Sequence, residues 1–178
     1  MDKELNILWG LIESLTVTPS LKANAIFNAG ASLSDIETFE RELGVNLPKD
    51  VVDSFQRHNG MPVESGYYCF WEGSFLSLRQ SLKERSERIL TTKRMFGEPG
   101  SPGYCPPESV IGPVKADVWL PLWVPVLKKN KEPVCIDFDP DDGGVVGQII
   151  EVDWEGSEVK VIAKSYREFL KMVVENLQ

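Results

Sequence analysis

The most chemically suggestive part of this sequence is a block of carboxylate side chains in its last third. Between Glu132 and Glu158 there are nine Asp and Glu residues and no Lys or Arg, whereas the whole chain carries a net charge of -8. Closely spaced carboxylates serve calcium binding, acid–base catalysis or contact with a basic partner. The function depends on which of these the block performs.

The spacing Asp137-x-Asp139-x-Asp141 resembles the start of a calcium-binding loop. Such a loop needs glycine at its sixth position and glutamate at its twelfth, and those positions hold Asp142 and Gln148. A predicted strand, not a helix, precedes the motif. We therefore expect no metal and no other cofactor.

The same residues fit a strand followed by a turn. Alternation predicts that Asp137 and Asp139 lie on the polar side of a strand, while its residues 136 and 138 point inward. Residues 140–144 then form a turn, and the glycine cluster 143–147 is typical of a turn with a bulge.

Catalysis by this chain would need more than paired carboxylates. Hydrolysis by two carboxylates also needs a cleft and a carboxyl with a raised pKa. His58 is the only histidine, and it lies in the last turn of a predicted helix, where a structural role is favoured. We therefore expect a protein that is not an enzyme, with a carboxylate-based hydrolase as a remaining alternative.

Trp119 and Trp123 alternate with Pro121 and Pro125, and this pattern permits two interpretations. The indoles form either a platform for a ligand or, more commonly, part of the core. Because proline donates no backbone hydrogen bond, the segment is predicted to be an edge strand or an irregular strand.

Composition restricts the compartment and the partners. The 178-residue chain has the size of a single domain, and neither its N-terminus nor any apolar stretch resembles a signal peptide or a membrane span. Its three cysteines show no C-x-x-C spacing, which favours the cytoplasm. A pI near 4.8 disfavours direct contact with nucleic acid and favours a basic protein partner.

The periodicity of apolar residues predicts helices first and strands later, which indicates an α+β fold with a mostly antiparallel sheet. The charge-rich helix predicted over 78–95 has a basic side, which is expected to face solvent and consists of Arg85, Arg88, Lys93 and Arg94. Residues 97–113, rich in proline and glycine, are expected to form a loop. Helices are predicted over 3–16, from the cap Ser32 to Gly44, from Pro48 to Asn59, over 78–95 and from the cap Ser165 to 177, and strands over 67–71, 73–78, 122–127, 134–138, 147–152 and 159–162.

The order of these motifs resembles the SUKH superfamily, which contains bacterial immunity proteins and the fungal Smi/Knr cell-wall assembly regulators. The resemblance covers residues 30–178, beyond the N-terminal helix. It is carried by A-S-x-x-D-I-x-x-F-E-x-x-L-G-x-x-L-P-x-D from Ala31, F-x-x-H-N-G from Phe55, W-x-P-V from Trp123, V-C-I-D-F-D-P from Val134, G-Q-I-I from Gly147 and A-x-S-Y-x-E-F-L from Ala163.

The resemblance implies one SUKH-like domain over residues 1–178, with helices packed on a curved, mostly antiparallel sheet of about five to six strands. For the immunity branch it implies a protein that is not an enzyme and that neutralises a specific toxin domain, often a nuclease. The acidic block agrees with this, because nucleases present basic surfaces that an acidic inhibitor occludes.

The resulting hypothesis is a cytoplasmic immunity protein that binds a basic toxin domain stoichiometrically, without contacting membrane or nucleic acid. The alternative of another class is a regulatory interaction protein like the cell-wall assembly regulators. The predicted toxin contacts are Asp139, Asp141, Asp142, Glu151, Asp153 and Glu155, with Trp119 and Trp154 as aromatic anchors.

Overall fold

A computed structural model describes residues 2–16, 26–62, 73–129, 132–153, 155 and 157–178. These residues contain five helices and six strands. The helices are α1 (Lys3–Thr16), α2 (Leu33–Leu43), α3 (Lys49–Arg57), α4 (Leu78–Phe96) and α5 (Tyr166–Leu177), and the strands are β1 (Ser74–Phe75), β2 (Ser109–Ile111), β3 (Trp123–Lys128), β4 (Val134–Asp137), β5 (Gln148–Val152) and β6 (Glu158–Ala163).

The strands form one open sheet in the order β1-β3-β4-β5-β6-β2. Every neighbouring pair is antiparallel except β2 and β6, which are parallel. The α+β class and the mostly antiparallel sheet of six strands are therefore confirmed.

Both faces of the sheet are buried, because alternate residues of the central strands enter two different cores. On β4, Ile136 packs into a first core with the helix residues Trp9, Phe55 and Phe169. Its neighbour Cys135 packs into a second core, which contains Trp119. The second core is covered by α4 and by the segment that precedes β3.

The helix boundaries follow the capping signals in the sequence. Ser32 caps α2 in a reciprocal capping box with Asp35, and Gly44 ends that helix at φ 74°. Ser165 accepts a hydrogen bond from the backbone N–H of Glu168 at the start of α5. A side-chain oxygen in each case satisfies an N–H that has no partner within the helix.

One prediction about the strands is wrong. The 97–113 segment is not entirely a loop, because Ser109–Ile111 forms the parallel edge strand β2 beside β6. Of the two alternatives predicted for β3, an edge strand or an irregular strand, the second is confirmed, since β1 and β4 flank this strand on its two sides. Its prolines are accommodated by an irregularity instead, a register shift between Pro125 and Leu127.

Two predictions about charged side chains are also wrong. Asp137 does not lie on a polar face but is 0% exposed, because the second core covers that side of β4. Arg88 is not on a solvated helix face: it is buried, and its Nε donates to Glu84 Oε1 at 3.0 Å. The predicted strand 67–71 and Trp154 lie outside the described residues.

Candidate functional site

The structure divides the predicted acidic contacts between the two ends of β5. Asp139, Asp141 and Asp142 precede this strand, whereas Asp153 and Glu155 follow it. A five-residue strand is roughly 17 Å long. The nine carboxylates therefore do not form one continuous acidic surface.

At the far end of β5, Glu151 is already neutralised. Lys129 and Lys160 each place Nζ 2.9 Å from one of its carboxylate oxygens, and the side chain is 12% exposed. Burial opposes ionisation of Glu151, but the hydrogen bonds from the two lysines outweigh it and hold the pKa below its ordinary value. Glu151 therefore lacks the exposed negative charge that a toxin contact needs.

The neighbouring carboxylate of Asp153 helps to build the β5–β6 turn. Its Oδ1 accepts the backbone N–H of Glu155 at 3.1 Å, and its Oδ2 accepts the hydroxyl of Ser157. The Glu155 side chain is exposed. Of the predicted contacts described at this end, Glu155 therefore presents the most accessible carboxylate.

Trp119 does not present an exposed ring, which disfavours the predicted role of this side chain as a partner anchor. Its side chain is 6% exposed and meets Trp123 edge to face, with 6.3 Å between ring centroids. The Arg88 guanidinium lies 5.7 Å from the Trp119 ring on the helix side. Of the two interpretations of Trp119 and Trp123, packing in the core therefore applies to both side chains.

The opposite end of β5 carries the β4–β5 turn, which we define as Asp139–Gly147. Lys115 pairs with Asp139 at 2.6 Å, so that carboxylate is neutralised. Asp141 and Asp142 are exposed, and no ion pair within the described residues involves either of them. These two side chains retain the negative charge of the turn.

A buried amide and a buried carboxylate hold this turn from beneath. Gln148 donates through Nε2 to Asp137 Oδ2 and to the Pro113 carbonyl, both at 2.9 Å, and its Oε1 accepts the Val145 N–H at 3.2 Å. The other Asp137 oxygen accepts the Asp139 N–H at 2.9 Å. These bonds join the turn to the ends of β4 and β5 and to the Pro113 carbonyl, and together they fix its conformation.

Two glycines make the tight path of the turn possible. Gly143 and Gly147 adopt φ values of 85° and 90°, in the left-handed region that side chains disfavour. Between them, Gly144 approaches the Pro113 carbonyl so closely that a Cβ atom would lie 2.7 Å from its oxygen. The turn is therefore packed against the segment that leads out of β2.

The turn also exposes two apolar side chains that sequence reasoning missed. Val145 is 50% exposed and Val146 is 61% exposed, next to the buried Gly147. Their signal in the sequence is a pair of β-branched residues inside a glycine-bounded turn. The supporting residues Lys115 and Gln148 carried no comparable signal, because their partners lie elsewhere in the sequence.

The surroundings of Asp137 and His58 disfavour a catalytic role for these two side chains. Burial raises the pKa of Asp137, as a general acid would require, but the fully buried carboxyl is enclosed by its hydrogen-bonding partners. His58 is occupied with Glu13, 2.7 Å from Nε2, and packs against Trp9 and Phe27. Asp137 therefore reaches no surface where a substrate would bind, and the His58 ring is held by Glu13 and the core.

The described part of the chain contains a groove of about 760 Å³ beside the start of α4. Cationic and acidic side chains alternate along its wall, including Lys83, Glu84 and Lys128. The Glu84 carboxylate pairs with Lys128 at 2.8 Å and with Arg88 at 3.0 Å, so it is not available as a general base. Within those same residues no three metal-binding side chains converge, and no helix is long and apolar enough to cross a membrane.

Comparison with known proteins identifies relatives of this chain. The SMI1/KNR4 family (SUKH-1) matches residues 30–172. A fission yeast protein named "Cell wall biosynthesis/cell cycle regulator smi1", from Schizosaccharomyces pombe, is 25% identical over 160 residues. That alignment covers 84% of this chain and 31% of the relative, so the chain spans less than a third of that protein's length. Because the family match extends from before α2 into α5, this chain belongs to the SMI1/KNR4 (SUKH-1) family.

Proposed function

We propose that this protein is an immunity protein, which acts in the cytoplasm by binding a cognate toxin domain stoichiometrically and has no catalytic activity of its own. The toxin domain presents a basic surface, as a nuclease does. The contact surface includes the β4–β5 turn, with Asp141 and Asp142 facing the toxin.

The observation that carries this proposal is the combination of exposed charge and rigid support in the β4–β5 turn. Asp141 and Asp142 project from a backbone held by the buried pair Asp137 and Gln148. A preorganised surface loses little conformational entropy when it binds. Exposed carboxylates also accelerate encounter with a basic protein and disfavour acidic competitors.

The test is binding to a defined toxin domain. We would express the C-terminal toxin domain encoded next to the gene for this chain, inactivated at its active site, and measure binding by isothermal titration calorimetry. We expect a one-to-one complex and protection of cells that express the active toxin. A neighbouring toxin domain that neither binds nor is neutralised would refute the proposal.

A second candidate is a regulatory interaction protein, and the similarity to the fission yeast regulator favours it. In that case the partner is a component of the host's own machinery and not a toxin. Deletion of the gene in cells that lack the toxin distinguishes the two. An immunity protein leaves such cells unaffected, whereas a regulator changes their growth or envelope.

A further inference from the structure

We propose that Val145 and Val146 form the apolar centre of the toxin interface, and that the toxin carries an apolar recess bordered by Lys or Arg side chains. This inference rests on the proposed function and identifies the chemistry of the partner surface. It assigns different roles to the valines and to the neighbouring aspartates of the same turn.

The two valines are not needed to complete either core. Both project from the tip of the turn, and neither belongs to the buried clusters on the two faces of the sheet. A single exposed apolar residue is ordinary on a protein surface. Two adjacent β-branched residues on a rigid, glycine-bounded tip form a compact apolar projection that fits a recess.

The fold fixes the position of this projection. Gln148 makes two hydrogen bonds with the backbone of Val145. The backbone N–H of Gln148 donates to the Val145 carbonyl at 2.9 Å, and the side-chain oxygen of Gln148 accepts the Val145 N–H at 3.2 Å. Valine side chains also have few rotamers. Little freedom is therefore left to lose when the valines enter a recess.

The charge beside the two valines is negative. Asp141 and Asp142 lie three to five residues before them in the same turn and remain exposed, whereas Asp139 is neutralised by Lys115. Interfaces commonly place an apolar centre inside a polar rim. The complement of this arrangement is an apolar recess with cationic side chains at its border, which a basic toxin surface supplies.

The kinetics of binding separate the two roles. Substitution of Val145→Ser or Val146→Ser removes apolar contact made only in the complex, so we expect dissociation to become about tenfold faster. The association rate and its dependence on salt should stay unchanged, because no charge is altered. The matched control is Val110→Ser, the same substitution at an exposed valine on β2, which lies outside the β4–β5 turn and pairs with Val159 on β6.

The experiment measures surface plasmon resonance between each variant and the inactivated toxin domain from the adjacent gene. The thermal unfolding midpoint of every variant is measured first, to confirm that the fold is retained. Faster dissociation for the two turn variants, and not for Val110→Ser, supports the inference. Dissociation at the wild-type rate, or an equal effect of Val110→Ser, overturns it while the proposed function stands. Failure of the wild-type protein to bind overturns the proposed function itself.

Discussion

The three aspartates of the β4–β5 turn have the same side chain but different surroundings. Asp139 is balanced by Lys115 at 2.6 Å, so it adds little to the field that a partner experiences. Asp141 and Asp142 have no such cation among the described residues, and solvent surrounds both carboxylates. The long-range attraction of this end of the sheet therefore depends mainly on these two residues.

The double substitution Asp141→Lys and Asp142→Lys should reduce the association rate with the toxin domain by about tenfold at low salt. The dependence of that rate on ionic strength should weaken as well, because the attraction that salt screens has been removed. Folding stability should change by less than about 0.5 kcal/mol per site, since both side chains are exposed. Stopped-flow association measured over a range of salt concentrations tests this.

The matched control for the charge reversal is Glu155→Lys, at the opposite end of β5. It reverses the charge of one exposed side chain in the β5–β6 turn, whereas the double variant reverses two. If this single reversal slows association as much as the double aspartate variant does, the interface is not centred on the β4–β5 turn.

At the scale of elements, β4 and β5 each carry one largely buried carboxylate, and the pKa values of the two are shifted in opposite directions. For Asp137 on β4, burial outweighs the hydrogen bonds from the Asp139 N–H and the Gln148 amide and raises the pKa above the ordinary value of 3.8. Burial also disfavours the charge of Glu151 on β5, but the hydrogen bonds from Lys129 and Lys160 prevail and lower its pKa below 4.5. The contribution of Asp137 to folding stability should therefore decrease as the pH rises, whereas that of Glu151 should increase.

Below pH 3.8 the Asp137 carboxyl is protonated in both the folded and the unfolded state, so its full contribution to folding stability is present. As the pH rises through the folded-state pKa, the unfolded state has already ionised and that stability is lost. For Glu151, the contribution is present above pH 4.5 and is lost as the pH falls through the lowered folded-state pKa.

The difference in unfolding free energy between wild type and Asp137→Asn should therefore fall with rising pH. The corresponding difference for Glu151→Gln should rise with pH. Urea denaturation from pH 3 to 7 measures both differences, and each variant serves as the control for the other. Two differences that change with pH in the same direction would contradict the environments assigned to Asp137 and Glu151.

The elements that were predicted well are those with local signals. The capping box of Ser32 and Asp35 and the glycine at 44 specify α2 within the segment itself. Strand β2 carries no such signal, since it has only three residues, is largely exposed and pairs in parallel with a strand some fifty residues later. Asp137 was misassigned because the alternation rule assumes one solvated face, whereas this sheet is covered on both.

The candidate site was predictable only in part. The charge of Asp141 and Asp142 and the glycine-rich turn beside them were evident from composition and spacing. The role of Gln148 depends on Pro113, which lies 35 residues away, and a sequence pattern does not reveal that contact. The division of the acidic block between the two ends of the sheet also could not be predicted without the strand boundaries.

At the scale of the whole molecule, one sheet separates two cores, and α1 contributes to the first of them. This helix precedes the segment matched by the family, 30–172, yet it buries Leu5, Trp9 and Ile12. Trp9 also donates to the Ser54 hydroxyl on α3 at 3.2 Å, and Glu4 pairs with Lys171 on α5 at 2.7 Å. We therefore predict that α1 and both cores unfold as a single unit.

Substitution of Trp9→Ala in the first core and of Trp119→Ala in the second tests this cooperativity. Each removes a buried aromatic side chain, so we expect each to reduce the free energy of unfolding by about 3–5 kcal/mol. Because both cores use the same strands, each variant should still unfold in one transition, with coincident midpoints by far-UV circular dichroism and tryptophan fluorescence. A second transition in either variant would instead show that the two faces of the sheet unfold independently.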